Sequence, residues 1–360
     1  MDTSDSEIVF DANGHCNHCT DFLEYGKKHV AKEKEAADYA QQMIKRIKEE
    51  GKGKKYDCLL GISGGVDSCY AAYILQKAGL RVLTMHMDNG WDSDVSVRNI
   101  KNVVDKLGLD YESYVLDWET FKDLQLSFLK ASVPEMETPT DIAISAALHK
   151  VAAKNNIKYI ISGGNLQTEG ILPRNWHYDA KDMKYLKAVH KQFGTASLKN
   201  FPMFGYREEI YYKMYHRIRT IYLLNYLPYS KKDAMNFLQD NLGWQYYGGK
   251  HHESMYTKFV QSYILPEKFD IDYRKATFST QICTGEKTRE EALEKMKTLP
   301  YDAAGIEEEK KYVIRKLNIS NEDFDAIMAD TPKTHEDYPN NKKWLEFLYR
   351  MYKKLYPKKF

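Results

Sequence analysis

The stretch that most constrains this chain is residues 59–68, LLGISGGVDS. The apolar run before it, residues 56–60, is typical of a buried parallel strand. After it, the helix-forming run at residues 69–75 continues towards Gly79, which suits the position just past a helix end. The sequence therefore predicts a Ser-Gly-Gly turn that joins the end of a strand to the N-terminus of a helix.

Such a turn is suited to binding phosphate. Glycines let backbone N–H groups approach an anion closely, and the helix dipole favours negative charge there. The hydroxyls of Ser63 and Ser68 can add donors, and Asp67 can hold a magnesium ion that a di- or triphosphate brings. The predicted nucleotide-binding residues are Ser63, Gly64, Gly65, Val66, Asp67 and Ser68, with Asp67 also a candidate catalytic residue. A turn without a ligand is the alternative, but S-G-G-x-D-S between strand and helix favours a nucleotide site.

Strand and helix patterns alternate around this turn. The strand candidates are residues 56–60, 81–86, 111–116 and 157–161, and the helix candidates are residues 68–78, 95–107 and 141–155. This alternation predicts an α/β fold, a doubly wound and mostly parallel sheet with helices on both faces. We divide the chain into an N-terminal cysteine-containing knuckle and helix (1–50), a nucleotide-binding α/β domain (51–180) and a mainly helical region (181–360).

Ligands of such sheets bind outside the carboxyl ends of the strands. Two further loops should therefore approach the first one. Asp88 and Asn89 are candidates to bind adenine or ribose, although Asx residues are equally typical of a simple turn. In the third loop, backbone amides at Gly163, Gly164 and Asn165 can contact the same nucleotide.

Polar residues next to the third loop are candidates for contacts to the acceptor. Glu169 is placed to meet magnesium or the acceptor, and Arg174 suits a phosphate or carboxylate. Asp141 is interpreted as a helix N-cap.

The alternating pattern stops after about residue 179. Residues 206–229 contain seven tyrosines with Arg207, Lys213, Arg217 and Arg219 between them. Stacking on RNA is one interpretation. We favour an amphipathic helix packed on the first domain, because the formal net charge of the chain is only +2.

Residues 243–254, GWQYYGGKHHES, place a cation, a potential acid–base group and a carboxylate at a predicted helix start. We predict that Lys250, His251 and Glu253 are catalytic. Exposed charges around an ordinary helix cap are the alternative.

The cysteines Cys16 and Cys19 have the spacing of half a zinc knuckle. A structural zinc needs four ligands, and Cys283 is a weak candidate for a third. Two free thiols are an equally good interpretation. Five cysteines in 360 residues, without a basic or apolar N-terminal signal, predict a reducing cytoplasmic location. With no apolar run near the roughly 18 residues of a span and little net charge, we expect neither a membrane nor a nucleic-acid partner.

The S-G-G-x-D-S turn resembles the PP-loop of ATP pyrophosphatases, which split ATP into AMP and pyrophosphate. Over most of its length the chain also resembles the N-acetyl sugar amidotransferase family of bacterial surface-glycan biosynthesis. The resemblance lies in FDANGHCNHC, LLGISGGVDS, MDNGW, ISGGN, WQYYGGKHHES and ILPEKFDIDYRKATFSTQICTGEKTREEAL. It implies use of ATP and Mg²⁺ to convert the acetamido group of a nucleotide-linked or free N-acetyl sugar into an acetamidino group. It also implies two partners, a HisH-like glutaminase and a HisF-like ammonia-channelling subunit.

Family members usually carry a further C-x-x-C before the segment corresponding to residues 1–3, and this pair would complete a four-cysteine zinc site. We therefore expect zinc binding by the given sequence to be weak. Two other functions remain open: a PP-loop enzyme that thiolates tRNA, and an ATP-binding subunit without turnover. No cysteine has a recognisable glutaminase setting, so free ammonium should serve as the nitrogen source of the chain alone.

Overall fold

A computed structural model describes residues 1–29, 33–249 and 252–355, and in these residues five strands form one parallel sheet. The strands are β1 Cys58–Gly61, β2 Val82–Asp88, β3 Asp110–Val115, β4 Tyr159–Ile161 and β5 Arg219–Ile221. Their order across the sheet is β3-β2-β1-β4-β5. The central strand β1 pairs with β2 on one side and with β4 on the other. The predicted α/β fold is confirmed.

Helices cover both faces of the sheet and form most of the C-terminal region. They are α1 Asn17–His29, α2 Glu33–Glu50, α3 Val66–Lys77, α4 Asp94–Leu107, α5 Trp118–Lys130, α6 Thr138–Lys154, α7 Leu166–Glu169, α8 Met183–Phe193, α9 Tyr206–Met214, α10 Lys231–Leu242, α11 Met255–Phe259, α12 Leu265–Phe269, α13 Tyr273–Cys283, α14 Arg289–Met296, α15 Ile306–Leu317, α16 Asn321–Ala329 and α17 Lys342–Leu355. A π-helical turn, Val260–Ile264, joins α11 to α12. None of these described helices is both long and apolar enough to cross a membrane.

The core has two layers because neighbouring strand residues point to opposite faces. Leu59 and Ile160 pack with α5, α6 and the C-terminal helices. Leu60 and Ile161 pack with α2, α3, α4 and α10 on the other face. Burial on both faces explains why the central strands are continuously apolar.

The prediction for residues 206–229 was wrong. Instead of one amphipathic helix, the segment forms α9, the strand β5 and a short 3₁₀ helix, Leu223–Tyr226. The alternating pattern therefore continues beyond residue 179, and β5 is an edge strand paired with β4. Only one of its three residues, Ile221, is buried. The proposed domain boundaries remain a prediction.

Two further local predictions differ from the structure. Asp141 does not cap a helix, because α6 begins at Thr138 and places Asp141 in its first turn. Helix α5 was not predicted. The one helix expected within residues 1–50 appears as two, α1 and α2, and residues 30–32 between them lie outside the described residues.

Candidate active site

The candidate site lies where the strand order reverses, at the carboxyl ends of β1 and β4. The loop after β1 carries the Ser-Gly-Gly turn, and the loop after β4 carries Gly163. The two loops touch: a methyl carbon placed on Gly163 would lie 2.8 Å from the backbone nitrogen of Ser68. The topology thus confirms that these loops converge, in agreement with the general position of ligands in such sheets.

Two serine hydroxyls organise the turn from inside. Ser68 Oγ accepts a hydrogen bond from the Ser63 backbone N–H at 3.2 Å and donates to the Gly65 carbonyl at 3.1 Å. Ser63 Oγ in turn accepts from the Gly65 N–H at 3.2 Å. Gly64 has φ +79°, and an added Cβ would lie 2.5 Å from the Ser96 carbonyl oxygen. The turn therefore requires glycine at position 64 for both conformation and space.

The segment after α10 covers the turn. Trp244 Nε1 donates to the Gly64 carbonyl at 2.8 Å, and the Val66 N–H donates to the Tyr247 hydroxyl at 3.4 Å. A methyl carbon on Gly65 would lie 3.2 Å from Glu253 Oε1. Glu253 is thus beside the turn. The other two predicted catalytic residues, Lys250 and His251, lie outside the described residues.

Asp67 is held at the start of α3 by side chains from two other segments. Tyr229 donates its hydroxyl hydrogen to Asp67 Oδ1, and Thr168 Oγ1 donates to Asp67 Oδ2 at 3.4 Å. Burial, followed by the charge of Asp67, raises the pKa of Tyr229, so the phenol stays protonated and acts as the donor. Tyr229 was missed by the sequence analysis because it follows the unpredicted strand β5.

A cavity of about 180 Å³ opens onto the turn. Its lining residues are Gly61, Ser63, Gly65, Val66, Asp67, Ser68, Gly163, Gly164, Glu169, Lys231, Tyr247 and Glu253. Most of the predicted nucleotide residues thus share one space. Lys231 was also missed, and it supplies a cation that the turn itself lacks.

The donor set of this cavity fits magnesium. Asp67 and Glu169 offer the carboxylate oxygens that Mg²⁺ prefers, and Mg²⁺ usually binds through one or two carboxylates together with substrate phosphates. No group of three or more His, Cys, Asp or Glu side chains is arranged as a ready metal site within the described residues. Asp67 and Glu169 are therefore the residues that would hold the ion of a bound Mg²⁺–nucleotide.

In the loop after β2, the side chains of Asp88 and Asn89 accept hydrogen bonds that stabilise a backbone turn. Asp88 Oδ1 accepts from the Gly90 N–H at 2.9 Å, and Asn89 Oδ1 accepts from the Trp91 N–H at 3.1 Å. Asn89 lines the larger cavity described below, whereas Asp88 is not among its lining residues. In the third loop, Asn165 caps α7 by accepting from the Thr168 N–H at 3.0 Å. Contacts of these residues to a nucleotide remain a prediction.

His86 and Asp92 form a pair at this edge of the sheet. His86 Nε2 lies 2.9 Å from Asp92 Oδ2, and its Nδ1 lies 3.0 Å from the Ile62 carbonyl oxygen. Burial acts to lower the pKa of His86, but the hydrogen bond and charge of Asp92 outweigh it and raise the pKa above its usual value. The pair fastens β2 to the residue that precedes the turn.

A second cavity, of about 1260 Å³, adjoins the first. The two share Gly61, Ser63, Gly163, Glu169 and Glu253. Carboxylate residues are frequent in the lining of this chamber: Asp92, Glu135, Glu137, Asp141, Glu169, Asp179 and Glu253. Among the described residues, the chamber is lined by one arginine, Arg174, and one lysine, Lys181. The chamber is large enough for a drug-sized or larger substrate next to the nucleotide site.

The three cysteines considered for zinc do come together. Cys16 Sγ and Cys19 Sγ are 3.3 Å apart. A hydrogen bond with Cys283 raises the pKa of Cys19, and the same bond lowers the pKa of Cys283. These thiols do not form a metal-binding arrangement among the described residues. Zinc binding therefore remains a prediction.

Two protein families match parts of the chain. Residues 36–163 match the NAD synthase family, and residues 253–356 match the family described as LPS biosynthesis protein WbpG-like, C-terminal domain. The fold, the turn and these matches define a member of the PP-loop ATP pyrophosphatase superfamily. More particularly, its nucleotide-binding part is similar to NAD synthase, and its C-terminal part is similar to a domain of lipopolysaccharide-biosynthesis proteins.

Individual relatives are more distant. The chain is 30% identical over 122 residues to a probable mitochondrial tRNA-specific 2-thiouridylase of Caenorhabditis elegans, covering 29% of this chain and 32% of that protein. It is 25% identical over 295 residues to an uncharacterised protein of Methanocaldococcus jannaschii, covering 81% of this chain and 89% of that protein. Its matches to thiouridylases cover between 25% and 50% of the length of those proteins.

Among solved structures, similarities include the NMN synthetase of Francisella tularensis, with 15% identity, a TM-score of 0.31 and coverage of 61% of this chain and 95% of that chain. The NH3-dependent NAD synthetase of Campylobacter jejuni has 16% identity and a TM-score of 0.29, and the match covers 58% of this chain and 85% of that chain.

Proposed function

We propose that the protein is an ATP-dependent amidotransferase that converts the acetamido group of an N-acetyl sugar, free or nucleotide-linked, into an acetamidino group. The product would enter a bacterial surface glycan. The proposal combines an ATP-pyrophosphatase turn, a C-terminal domain of the lipopolysaccharide-biosynthesis type, and a large acceptor chamber.

The chamber is the observation that carries the proposal. One wall comes from the segment that matches NAD synthase and includes Ser63 and Gly163. Another comes from the segment that matches the WbpG-like domain and includes Glu253, Thr257 and Tyr273. An acceptor bound between the two segments would be beside the ATP site. The lipopolysaccharide-type domain would thus supply acceptor recognition.

The chemistry explains why ATP is needed. An amide carbonyl is a poor electrophile, and its oxygen must first become a leaving group. The acetamido oxygen attacks the α-phosphorus of ATP, a new O–P bond forms, and pyrophosphate departs. Ammonia then adds to the imidate carbon, the C–O bond breaks to release AMP, and an amidine remains after loss of a proton.

Residues of the chain have distinct roles in this scheme. The backbone amides of the turn and Lys231 would hold the departing pyrophosphate by positioning and charge. The ion held by Asp67 would neutralise phosphate charge. The carboxylates of the chamber suit a nucleophile that arrives as ammonium and a product that is a cation, because each lowers the free energy of a nearby positive charge. Glu253 would accept a proton, with His251 as a further candidate base.

A tRNA-thiolating enzyme is the main alternative, because the curated relatives include thiouridylases. Sulfur transfer needs a reactive thiol near the activated substrate. All five cysteines are described, and none lines either cavity. Cys58 and Cys69 are completely buried, and burial raises the pKa of both thiols. This arrangement favours ammonia as the nucleophile.

The test is a pyrophosphate-release assay with two sets of substrates. We expect release with ATP, a UDP-N-acetyl sugar and ammonium, together with a sugar product about one mass unit lighter because NH replaces O. Asp67→Ala should abolish both signals while cooperative unfolding is retained. Release with tRNA and a sulfur donor, but not with sugars, would reject the proposal in favour of thiolation. ATP binding without release under either condition would indicate a non-catalytic subunit.

A further inference from the structure

The last described helix, α17, exposes a row of large apolar side chains. Trp344, Phe347 and Met351 have 58%, 53% and 43% of their surface accessible. Their spacing of three and four residues places them on one face of the helix. Globular proteins rarely leave several large apolar groups together in water unless the surface binds something.

The same helix is strongly basic. It contains five lysine or arginine residues, Lys342, Lys343, Arg350, Lys353 and Lys354, against one acidic residue, Glu346. Lys343 and Arg350 are exposed. At about 100° per residue, Lys343 and Arg350 lie about 100° and 120° from Trp344 on the same side of the helix, and about 40° and 60° from Phe347, so they border the exposed apolar row.

Helix α8 extends this basic surface. Its lysines Lys184, Lys187 and Lys191 are all exposed and share one face, and the helix has no acidic residue. Lys184 Nζ donates to the Asn340 carbonyl at 3.0 Å, directly before α17 begins. Lys184 thus connects the lysine face of α8 to the residue that stands two positions before α17.

The start of α17 is fixed to the body of the protein. The Asn341 N–H donates to Asp182 Oδ2 at 2.6 Å, and Asn341 Nδ2 donates to Asp182 Oδ1 at 2.8 Å. Asp182 is completely buried. The position of the helix start is thus set by the fold.

We propose that α17, together with the lysines of α8, binds the surface of an anionic lipid bilayer. A helix with Trp and Phe on one face, Lys and Arg on the other, and few acidic residues lies in the interface between headgroups and acyl chains. Anionic lipids attract each basic residue near the surface. The expectation of no membrane partner was based on the lack of a spanning segment, and an interfacial helix of 14 residues is a different element. This inference is independent of the proposed function.

Vesicle binding by the full chain tests the inference. We expect co-sedimentation with vesicles of mixed phosphatidylcholine and phosphatidylglycerol, weak binding to phosphatidylcholine alone, and loss of binding at high salt. Trp344 provides a second signal, because Trp91, Trp176 and Trp244 are buried and Trp118 is half-buried. Its fluorescence should shift to shorter wavelength on binding, and Trp344→Phe should lose that shift but still sediment.

Variants separate charge from apolar contact. Each basic residue near an anionic surface contributes about fivefold in affinity, so Lys343→Glu with Arg350→Glu should weaken binding at least about twentyfold. Phe347→Ser with Met351→Ser should also weaken binding and remove the fluorescence shift. The control Lys297→Glu with Lys311→Glu has the same change in charge at exposed side chains, one directly after α14 and one on α15, and should bind like the unchanged chain.

Three results would overturn the inference. One is no binding to either vesicle by a chain that unfolds cooperatively. Another is equal loss of binding in the control variant. The third is concentration-dependent dimerisation that Phe347→Ser with Met351→Ser abolishes, without vesicle binding, because the apolar row would then be an interface between two copies.

Discussion

Replacing Gly163 by alanine should disrupt the candidate site, because the added methyl group would clash with the neighbouring loop. The same substitution at Gly164 should not cause such a clash. Neither glycine has a φ in the left-handed region, so alanine is permitted at both by backbone conformation. The two positions differ in the space available for an added methyl group. A methyl on Gly163 would lie 2.8 Å from the Ser68 nitrogen and 2.9 Å from Ser68 Cα, whereas the nearest atoms to one on Gly164 lie at 3.4 Å.

The expected size follows from these distances. Carbon atoms in good contact are about 3.5–4.0 Å apart, so the loop after β4 must move away from the turn by roughly 0.7 Å or more. Overpacking of this kind costs about 1–3 kcal/mol of stability. A misplacement of about 1 Å between catalytic groups can lower the rate about a hundredfold. At Gly164 alanine should be neutral in stability or add a few tenths of a kcal/mol, because it restricts the unfolded chain.

Two measurements check this prediction. Denaturant unfolding of Gly163→Ala and Gly164→Ala gives the change in stability, and pyrophosphate release gives the change in kcat/KM. Thermal unfolding with and without Mg²⁺–ATP reports nucleotide binding in both variants. If Gly163→Ala equals the unchanged chain in stability and rate, or if Gly164→Ala is the more destabilised of the two, the close approach of the two loops does not have the role assigned to it.

Other predictions address the residues around the site. Tyr229→Phe removes the hydrogen bond to Asp67, and a bond to a charged group contributes about 1.5–3 kcal/mol to stability, so the free energy of unfolding should fall by about that amount and more Mg²⁺ should be needed for half-maximal activity; unchanged unfolding and Mg²⁺ titration curves would contradict this role. Asp92 raises the pKa of His86, so this pair stabilises the fold fully below pH about 6.5 and the contribution is lost as the pH rises through the folded pKa. Unfolding free energies of Asp92→Asn should accordingly vary less over that interval than those of the unchanged chain, and equal slopes would refute the assignment. Cys16, Cys19 and Cys283 offer three thiols, and a structural zinc needs four ligands, so the chain as given should bind little zinc in elemental analysis; full zinc occupancy would contradict this. Amidine formation should proceed with ammonium and not with glutamine, unless a separate glutaminase is added; steady turnover of glutamine by the purified chain would exclude this.

The turn could be predicted from the sequence, because each feature that defines it is local in the chain. The apolar strand, the glycines and the helix start are contiguous, and the carboxyl-end rule then brought Gly163 to Ser68 without any knowledge of packing. Strand β5 could not be predicted in the same way. It is three residues long, lies at the edge of the sheet and buries only Ile221, so it has no apolar run to detect. Because β5 was not predicted, the loop that follows it was not placed at the site. Tyr229 and Lys231, which belong to that loop and the start of the next helix, were therefore not predicted as site residues.

The parallel sheet also explains why the missed residues belong to the site. Because β5 runs in the same direction as β4, the segment after β5 must start at the carboxyl end of the sheet, where the turn also lies. Tyr229 and Lys231 therefore reach Asp67 and the small cavity from the opposite side of β4 to the turn. The C-terminal region forms a further wall of the large chamber, where Glu253, Thr257 and Tyr273 line it. In the proposed reaction, residues at the carboxyl ends of the strands thus bind and activate ATP. The helices packed against those ends determine which acceptor binds. Substitutions in α11 to α13 that face the chamber should accordingly change the KM for the sugar more than the KM for ATP, and those around Asp67 should do the reverse.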